Sequence, residues 1–135
     1  MNEFFVDTGY LLALELGNDQ NHEAAQKHWQ QIIVVSVKLL TTTYILNEVV
    51  TYLNSRDHHA KAVQIGEILL NSTTIELVHV DEALLQDSWG YFRQHQDKRY
   101  SLTDCVSFVV MRQRSVQMAL AFDRHFVQAG FQKLP

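Results

Sequence analysis

Cysteine is nearly missing from this chain of 135 residues. Cys105 stands alone, so no disulfide can close within the chain, and a reducing cytoplasm is the compartment the sequence anticipates. Proline occurs once and glycine five times, which argues against collagen-like, linker-rich or turn-dense all-β chains. No apolar run approaches the ~20 residues of a membrane span. The opening Met-Asn-Glu-Phe-Phe-Val-Asp has an acid at its third position and no basic stretch, so it is not read as a signal peptide. Excess positive charge is lacking too. Eleven Lys and Arg against fifteen Asp and Glu give −4, which offers no support for a protein that coats nucleic acid. Without repeats, low-complexity tracts or a composition break that would mark a linker, residues 1–135 are expected to form a single domain.

What is present is an ordinary globular mixture, 47% hydrophobic and 19% charged. A chain of this length can bury roughly two thirds of its unfolded surface, so its core needs no staple. The charge is unevenly spread. Residues 1–90 hold four bases against twelve acids, a balance of −8, whereas residues 91–135 hold seven bases against three acids, a balance of +4. The basic third contains Arg93, Lys98, Arg99, Arg112, Arg114, Arg124 and Lys133. It reads either as a solvated face or as a patch that meets phosphates.

Short apolar runs alternate with longer helical patterns. Strands are expected over 4–6, 39–42, 75–80 and 118–122. Helices are expected over 8–16, 21–33, 43–54, 58–70, 81–95 and 102–114, with a last short one running to Ala129 and ending at Gly130. Ile45, Leu46, Val49, Val50 and Leu53 form one apolar stripe, and Asp81 is a fitting N-cap for its helix. Strands that alternate with helices imply parallel pairing through right-handed crossovers. The expected architecture is therefore α/β, a three-layer α/β/α sandwich with a central, mainly parallel sheet. Ligands of such folds bind outside the carboxyl ends of the strands.

Asp7 follows the first strand and Asp123 follows the last one in the same manner, so both would point into one crevice if those strands are neighbours. Asp104 opens a helix that is apolar almost all round, and aspartate is rarely buried without a partner. A cap or a dipole partner is the plainer role there, but Ser101 and Thr103 could cap as well. Glu48 lies off the apolar stripe of its helix, where periodicity alone makes it a surface residue; only its place soon after a strand recommends it. Four carboxylates in one cleft would repel one another unless they held divalent cations. Hard Mg2+ or Mn2+ ions take such oxygen ligands, and a pair of them activates water and stabilises the leaving oxygen in phosphodiester hydrolysis.

These residues resemble the PIN domain family, in particular the VapC-type toxin ribonucleases of prokaryotic toxin–antitoxin pairs. The resemblance spans essentially the whole chain. Val6-Asp7-Thr8-Gly9-Tyr10-Leu11-Leu12-Ala13-Leu14, followed by the Asp19, His22 and Ala25 spacing, is similar to the family opening. Ile45-Leu46-Asn47-Glu48-Val49 is similar to its glutamate helix, Ser101-Leu102-Thr103-Asp104-Cys105 to its third acidic motif, and Ala119-Leu120-Ala121-Phe122-Asp123-Arg124-His125-Phe126 to its fourth. The resemblance implies metal-dependent cleavage of RNA in the cytoplasm. Asp7, Glu48, Asp104 and Asp123 would be the metal ligands and catalytic acids, and Thr8 a hydroxyl supporting the first of them. Ala121 departs from the pattern, standing where the family often carries Thr or Ser. The implied partners are RNA, a cognate antitoxin and a second copy of the chain. Apolar residues on the helices between Thr43 and Leu70 would supply an interface, and Arg93, Lys98, Arg99 and Arg124 would bind the RNA backbone.

Other readings fit less well. Asp7-Thr8-Gly9 spells the aspartic protease triplet, but that fold is nearly all β. A phosphoacceptor receiver wants adjacent acids after its first strand and a late lysine, and neither is present. A PIN-like module that binds RNA or protein with little catalysis is the serious alternative, and metal binding would discriminate. The seven histidines have no zinc spacing, and Cys105 reads as a small core residue. Trp29, Trp89 and the tyrosines read as core or interface rather than as platforms for bases. Asp19 and Asp97 read as turn or cap residues.

Overall fold

The structure is a computed structural model and describes residues 2–135. Its elements run β1 (Asn2–Val6), α1 (Thr8–Glu15), α2 (His22–Ile32), β2 (Val37–Thr42), α3 (Thr43–Ser55), α4 (His59–Asn71), β3 (Ile75–Val78), α5 (Glu82–Gln94), α6 (Leu102–Gln113), β4 (Met118–Leu120), α7 (His125–Gln128) and β5 (Gln132–Leu134). The sheet has five strands in the order β3-β2-β1-β4-β5, and every pairing is parallel. β1 is central and β4 lies directly beside it, with Val6 opposite Leu120.

The expected elements are all present, with two differences. β3 stops at Val78 because the Val80 N–H turns to the Thr43 hydroxyl, 3.1 Å away, instead of to a neighbouring strand. β4 stops at Leu120, and a fifth strand that the sequence analysis did not anticipate pairs with it, Ala119 opposite Lys133. Gln132–Leu134 is only three residues long and carries a lysine, so neither alternation nor an apolar run marks it.

Strand side chains alternate between the two faces. Val6, Leu39, Thr41 and Ile75 face α1, α2 and α4. On the other face Phe5 meets Phe126 of α7, which stands edge-on to Phe108 of α6. That is the three-layer sandwich. α6 is the central piece of its layer: Cys105, Val106, Ser107, Phe108, Val110 and Met111 are all buried. No helix among the described residues is long and apolar enough to cross a membrane.

Local signals agree with these boundaries. Asp81 accepts from the Leu84 N–H at 2.9 Å and caps α5, and Thr42 accepts from the Ile45 N–H to cap α3. Phe108 is fully buried and touches the rings of Tyr91, Tyr100, Phe126 and Phe131. Phe108→Ala is expected to cost ~3–5 kcal/mol in urea unfolding; a loss below ~1 kcal/mol would mean that α6 does not pack in this way.

Candidate metal centre

The geometry starts from the pairing of β1 with β4. Asp7 leaves the carboxyl end of β1, its N–H bonded to the Leu120 carbonyl at 3.0 Å. It occupies the N-cap position of α1, yet its side chain makes no capping bond to the next turn. The carboxylate is buried instead beside other acids. Burial is the largest influence on it, followed by the charge of Asp104, while the Thr8 N–H pulls the other way and Asp123 and Glu48 push further up. Together these raise Asp7 to about 7. The charges of the other three acids named from the sequence, Asp104, Asp123 and Glu48, therefore all reach Asp7.

Asp104 is held by its own helix. Ser101 at the N-cap accepts from the Asp104 N–H at 2.9 Å, and Asp104 Oδ2 accepts from the Ser101 N–H at 3.0 Å, a complete capping box. The sequence set a capping role against a functional one; the structure shows the cap and sets the same carboxylate beside Asp123 and His125. His125 Nδ1 lies 2.9 Å from the same Oδ2. Both contacts fall on one oxygen, which leaves Oδ1 as the one available to an ion. Burial, first, holds Asp104 above the ordinary carboxylate range, while the Ser101 N–H and His125 pull it down.

Asp123 is exposed on the turn after β4 and accepts from the His125 N–H at 2.9 Å. Asp104, Asp123 and His125 each offer one donor atom, and these lie within 4.8 Å of one another. His125 is the residue that sequence reasoning missed. Zinc spacing was the wrong signal; the useful one was a histidine two residues after an acid at the start of a helix. Tyr100 sits edge-on to its ring, 5.3 Å between centroids, and the fully buried Phe126 anchors the next position.

Glu48 departs from what its helical phase suggests. It is half-buried, because α1 lies against α3, and Thr8 donates its hydroxyl to Glu48 Oε1 at 2.7 Å. The Thr8 hydroxyl thus serves Glu48, while its backbone N–H serves Asp7. Ala121 is fully buried and contributes no polar atom. The donor set, carboxylate oxygens with one imidazole at the edge, suits a hard divalent cation. Such an ion would relieve the repulsion that lifts Asp7.

Of the seven bases in the last third, Lys133 donates to the Pro135 carbonyl at 3.2 Å, and two arginines are tied up more firmly. Arg114 makes two hydrogen bonds to Glu76, and Arg112 lies over the Tyr91 ring and donates to the Ala129 carbonyl. Arg93, Lys98, Arg99 and Arg124 are exposed. Lys98 pairs only with its neighbour Asp97, at 3.4 Å. Arg124 lies between Asp123 and His125, and Lys98 and Arg99 sit on the loop that leads into Ser101 and Asp104. Arg93 is in the last turn of α5, and the structure gives it no contact with the acids. A separate apolar cavity of about 350 Å3 lies between the sheet and α1, α2 and α4, lined by Tyr10, Trp29, Ile68 and others. None of the four acids borders it.

The model of the PIN domain family matches residues 4–132. A curated relative, the 23S rRNA-specific endonuclease VapC20 of Mycobacterium tuberculosis, is 37% identical over 127 residues, covering 94% of each chain. The crystal structure of Mycobacterium tuberculosis VapC20, described as a sarcin-ricin loop cleaving toxin, superposes with a TM-score of 0.86 at 35% identity over 95% of each chain. A toxin-antitoxin complex from Klebsiella pneumoniae (TM-score 0.67, 10% identity, 98% and 96% covered) and FitAcB from Neisseria gonorrhoeae (TM-score 0.66, 16% identity, 98% and 96% covered) share the fold alone.

The raised Asp7 makes a stability prediction. A carboxyl whose folded value lies above its unfolded one costs nothing below the unfolded value of 3.8, and its penalty grows until pH passes about 7. Metal-free protein should therefore lose stability from this group between pH 4 and 7, by up to ~4 kcal/mol at ~1.4 per unit. Asp7→Asn should raise the metal-free melting temperature at pH 8 and change it little at pH 4. Equal melting of the two proteins at pH 8 would contradict the burial of Asp7 among like charges.

Proposed function

This chain belongs to the PIN domain family, and we propose that it is a metal-dependent endoribonuclease, the toxin of a toxin–antitoxin pair. The observation that carries this reading is the convergence of Asp7, Asp104, Asp123 and Glu48 at the carboxyl ends of two adjacent parallel strands. The 37% identity to a 23S rRNA-specific endonuclease recommends a ribosomal RNA loop as the substrate to test first. A ribosomal substrate entails the cytoplasm.

In this reading Asp7, Asp104 and Asp123 hold Mg2+ or Mn2+, with Glu48 completing the set. The ion, when bound, supplies positive charge to the phosphate oxygens and lowers the pKa of water. The protein residues do the rest. Asp104 presents Oδ1 while Ser101 and His125 fix Oδ2. Glu48, held by the Thr8 hydroxyl, orients the attacking water and accepts its proton. The water oxygen attacks phosphorus in line with the leaving ribose oxygen, whose bond to phosphorus breaks as the new one forms. Lys98 and Arg99, exposed on the loop that leads into Asp104, and Arg124, exposed next to Asp123, hold the flanking phosphates, and Arg93 does so further out.

The antitoxin and the second copy of the chain need apolar surfaces, and α4 exposes Val63, Ile68 and Leu70. Ile68 also borders the apolar cavity next to Trp29. These surfaces support both partnerships as expected on the helices between Thr43 and Leu70.

Purified protein should cleave a sarcin-ricin hairpin RNA with Mg2+ or Mn2+ and stop with EDTA. Asp104→Asn should lower the rate more than ~100-fold, beyond the 10–100-fold typical of groups that only support a ligand. Cleavage that survives EDTA, or survives Asp104→Asn, would sink the assignment. Alanine at both Lys98 and Arg99 should flatten the dependence of log affinity on log salt by about two, roughly one for each lost phosphate contact; an unchanged slope would move the patch elsewhere.

A further inference from the structure

We propose that the groove between α1 and α3 is a nucleotide subsite beside the scissile phosphate, in which Tyr52 stacks on a base and Arg56 pairs with the next phosphate. The proposal rests on the ribonuclease reading above and adds to it two residues outside the metal centre.

The groove begins at the metal centre itself. Thr8 and Glu48, joined by their 2.7 Å hydrogen bond, line its first depression together with Leu12, Asn47, Thr51, Tyr52 and Ser55, a space of about 500 Å3. A second depression of about 340 Å3 continues past Tyr52 and Ser55 to Leu16, Asn18, Arg56, Asp57 and His58; Asp57 is its one acid and makes no ion pair with Arg56 among the described residues. Helical spacing explains the continuity. Thr8, Leu12 and Leu16 follow one another at intervals of four along α1, and Glu48, Tyr52 and Arg56 do so along α3 and its C-cap. From Glu48 to Arg56 the helix rises ~12 Å, at 1.5 Å per residue. Whatever chain reaches Glu48 along this groove must pass Tyr52.

The lining suits RNA. Tyr52 is 37% exposed, although the stripe it follows, Ile45, Val49 and Leu53, is fully buried. Exposed aromatics in a groove that tracks a nucleic-acid backbone stack on bases whatever their identity. The Arg56 guanidinium lies over the Tyr52 ring, 4.9 Å from its centroid, and makes no ion pair among the described residues. It is one of four bases in residues 1–90. An arginine resting on an aromatic face without a carboxylate is free to turn to a phosphate, and its plane can extend a stack. Between these two and the acids, Thr51 donates to Asn47 Oδ1 at 3.3 Å, which leaves the Asn47 amide N–H groups to meet a base edge or a 2′-hydroxyl. The sequence had favoured core or interface roles for the tyrosines; Tyr52 is not in the core, because it lines the groove on the α1 side of α3.

The test is the affinity of a fluorescein-labelled single-stranded RNA for the protein, read by anisotropy with Mg2+ present, every variant being built on Asp104→Asn so that the RNA stays intact. Tyr52→Ala is expected to weaken binding about 10-fold or more, and Tyr52→Phe, which keeps the ring, about 2-fold or less. Arg56→Gln should lower the salt slope by about one, while Arg56→Lys retains it. Should Tyr52→Ala fail to fold, as judged by circular dichroism, the Arg56→Gln and Arg56→Lys pair carries the test. Binding unchanged in Tyr52→Ala and a salt slope unchanged in Arg56→Gln would overturn the subsite while parent protein that still cleaves RNA left the nuclease reading standing. Parent protein that neither binds nor cleaves RNA would overturn both.

Discussion

Repulsion among carboxylates at one edge of a parallel sheet is the constraint from which the functional chemistry of this molecule follows. The strand order brings β4 beside β1, so Asp7 and the turn bearing Asp123 must emerge at the same edge. α6 delivers Asp104 to that edge from the layer beneath, and α3 delivers Glu48 from the far side of α1. Nothing about Asp7 favours its charge except the adjacent Thr8 N–H, and its burial opposes it. A chain that folds into this shape without an ion carries an unfavourable cluster, which the remaining structure must outweigh. Native stability of a domain is of order 5–15 kcal/mol, so one buried acid of this kind is a considerable fraction of it. The fully buried aromatic and aliphatic side chains on α6 and α7, together with the capping box at Ser101, supply the opposing stabilisation where the cluster is attached.

The same attachments set direction as well as stability. Asp104 is useful to an ion only because one of its oxygens is already committed. Ser101 and His125 take Oδ2, and the box fixes the side chain to the first turn of a helix that cannot move without disturbing Phe108 and Met111. His125 is itself confined between Tyr100 and the turn of Asp123. A run of ring contacts through Tyr100, Phe108 and Phe126 reaches Phe5 in the central strand, so the position of the imidazole is tied to the sheet. Preorganisation here is a property of the core, and the polar atoms inherit it.

Much of this was legible beforehand, for definite reasons. Alternating strands and helices announced the parallel sandwich, and Asp81 announced a helix start, because both depend on local periodicity and on capping chemistry. Asp7 and Asp123 could be placed because each follows an apolar run. What escaped depends on tertiary contact. β5 is three residues whose only mark is pairing with β4. Glu48 has the phase of a surface residue and is half-buried only because α1 covers it. His125 gains meaning from Asp104, twenty-one residues away. The basic third of the chain looked uniform, yet Arg112 and Arg114 are engaged by Tyr91 and Glu76, which no spacing within the sequence foretells.

In the ribonuclease reading an acidic site acts on a polyanion, and the distribution of charge would resolve that conflict in two stages. The chain is net negative and its cluster is more so, which opposes the approach of a phosphate. Lys98 and Arg99, exposed on the loop that leads into Asp104, and Arg124, exposed next to Asp123, would offset that field. They attract the backbone, but at the centre the sign remains wrong until a divalent ion reverses it. In the ribonuclease reading ion and RNA would be coupled ligands: whichever bound first would improve the site for the other, by the same free energy in either order. Protons would compete in that coupling, because an ion held by Asp7 would have to displace one wherever the pH lies below about 7. On that reading, grip on the RNA away from the cluster, through the exposed bases and the proposed α1–α3 subsite, would let binding energy accumulate before the repulsive centre is engaged.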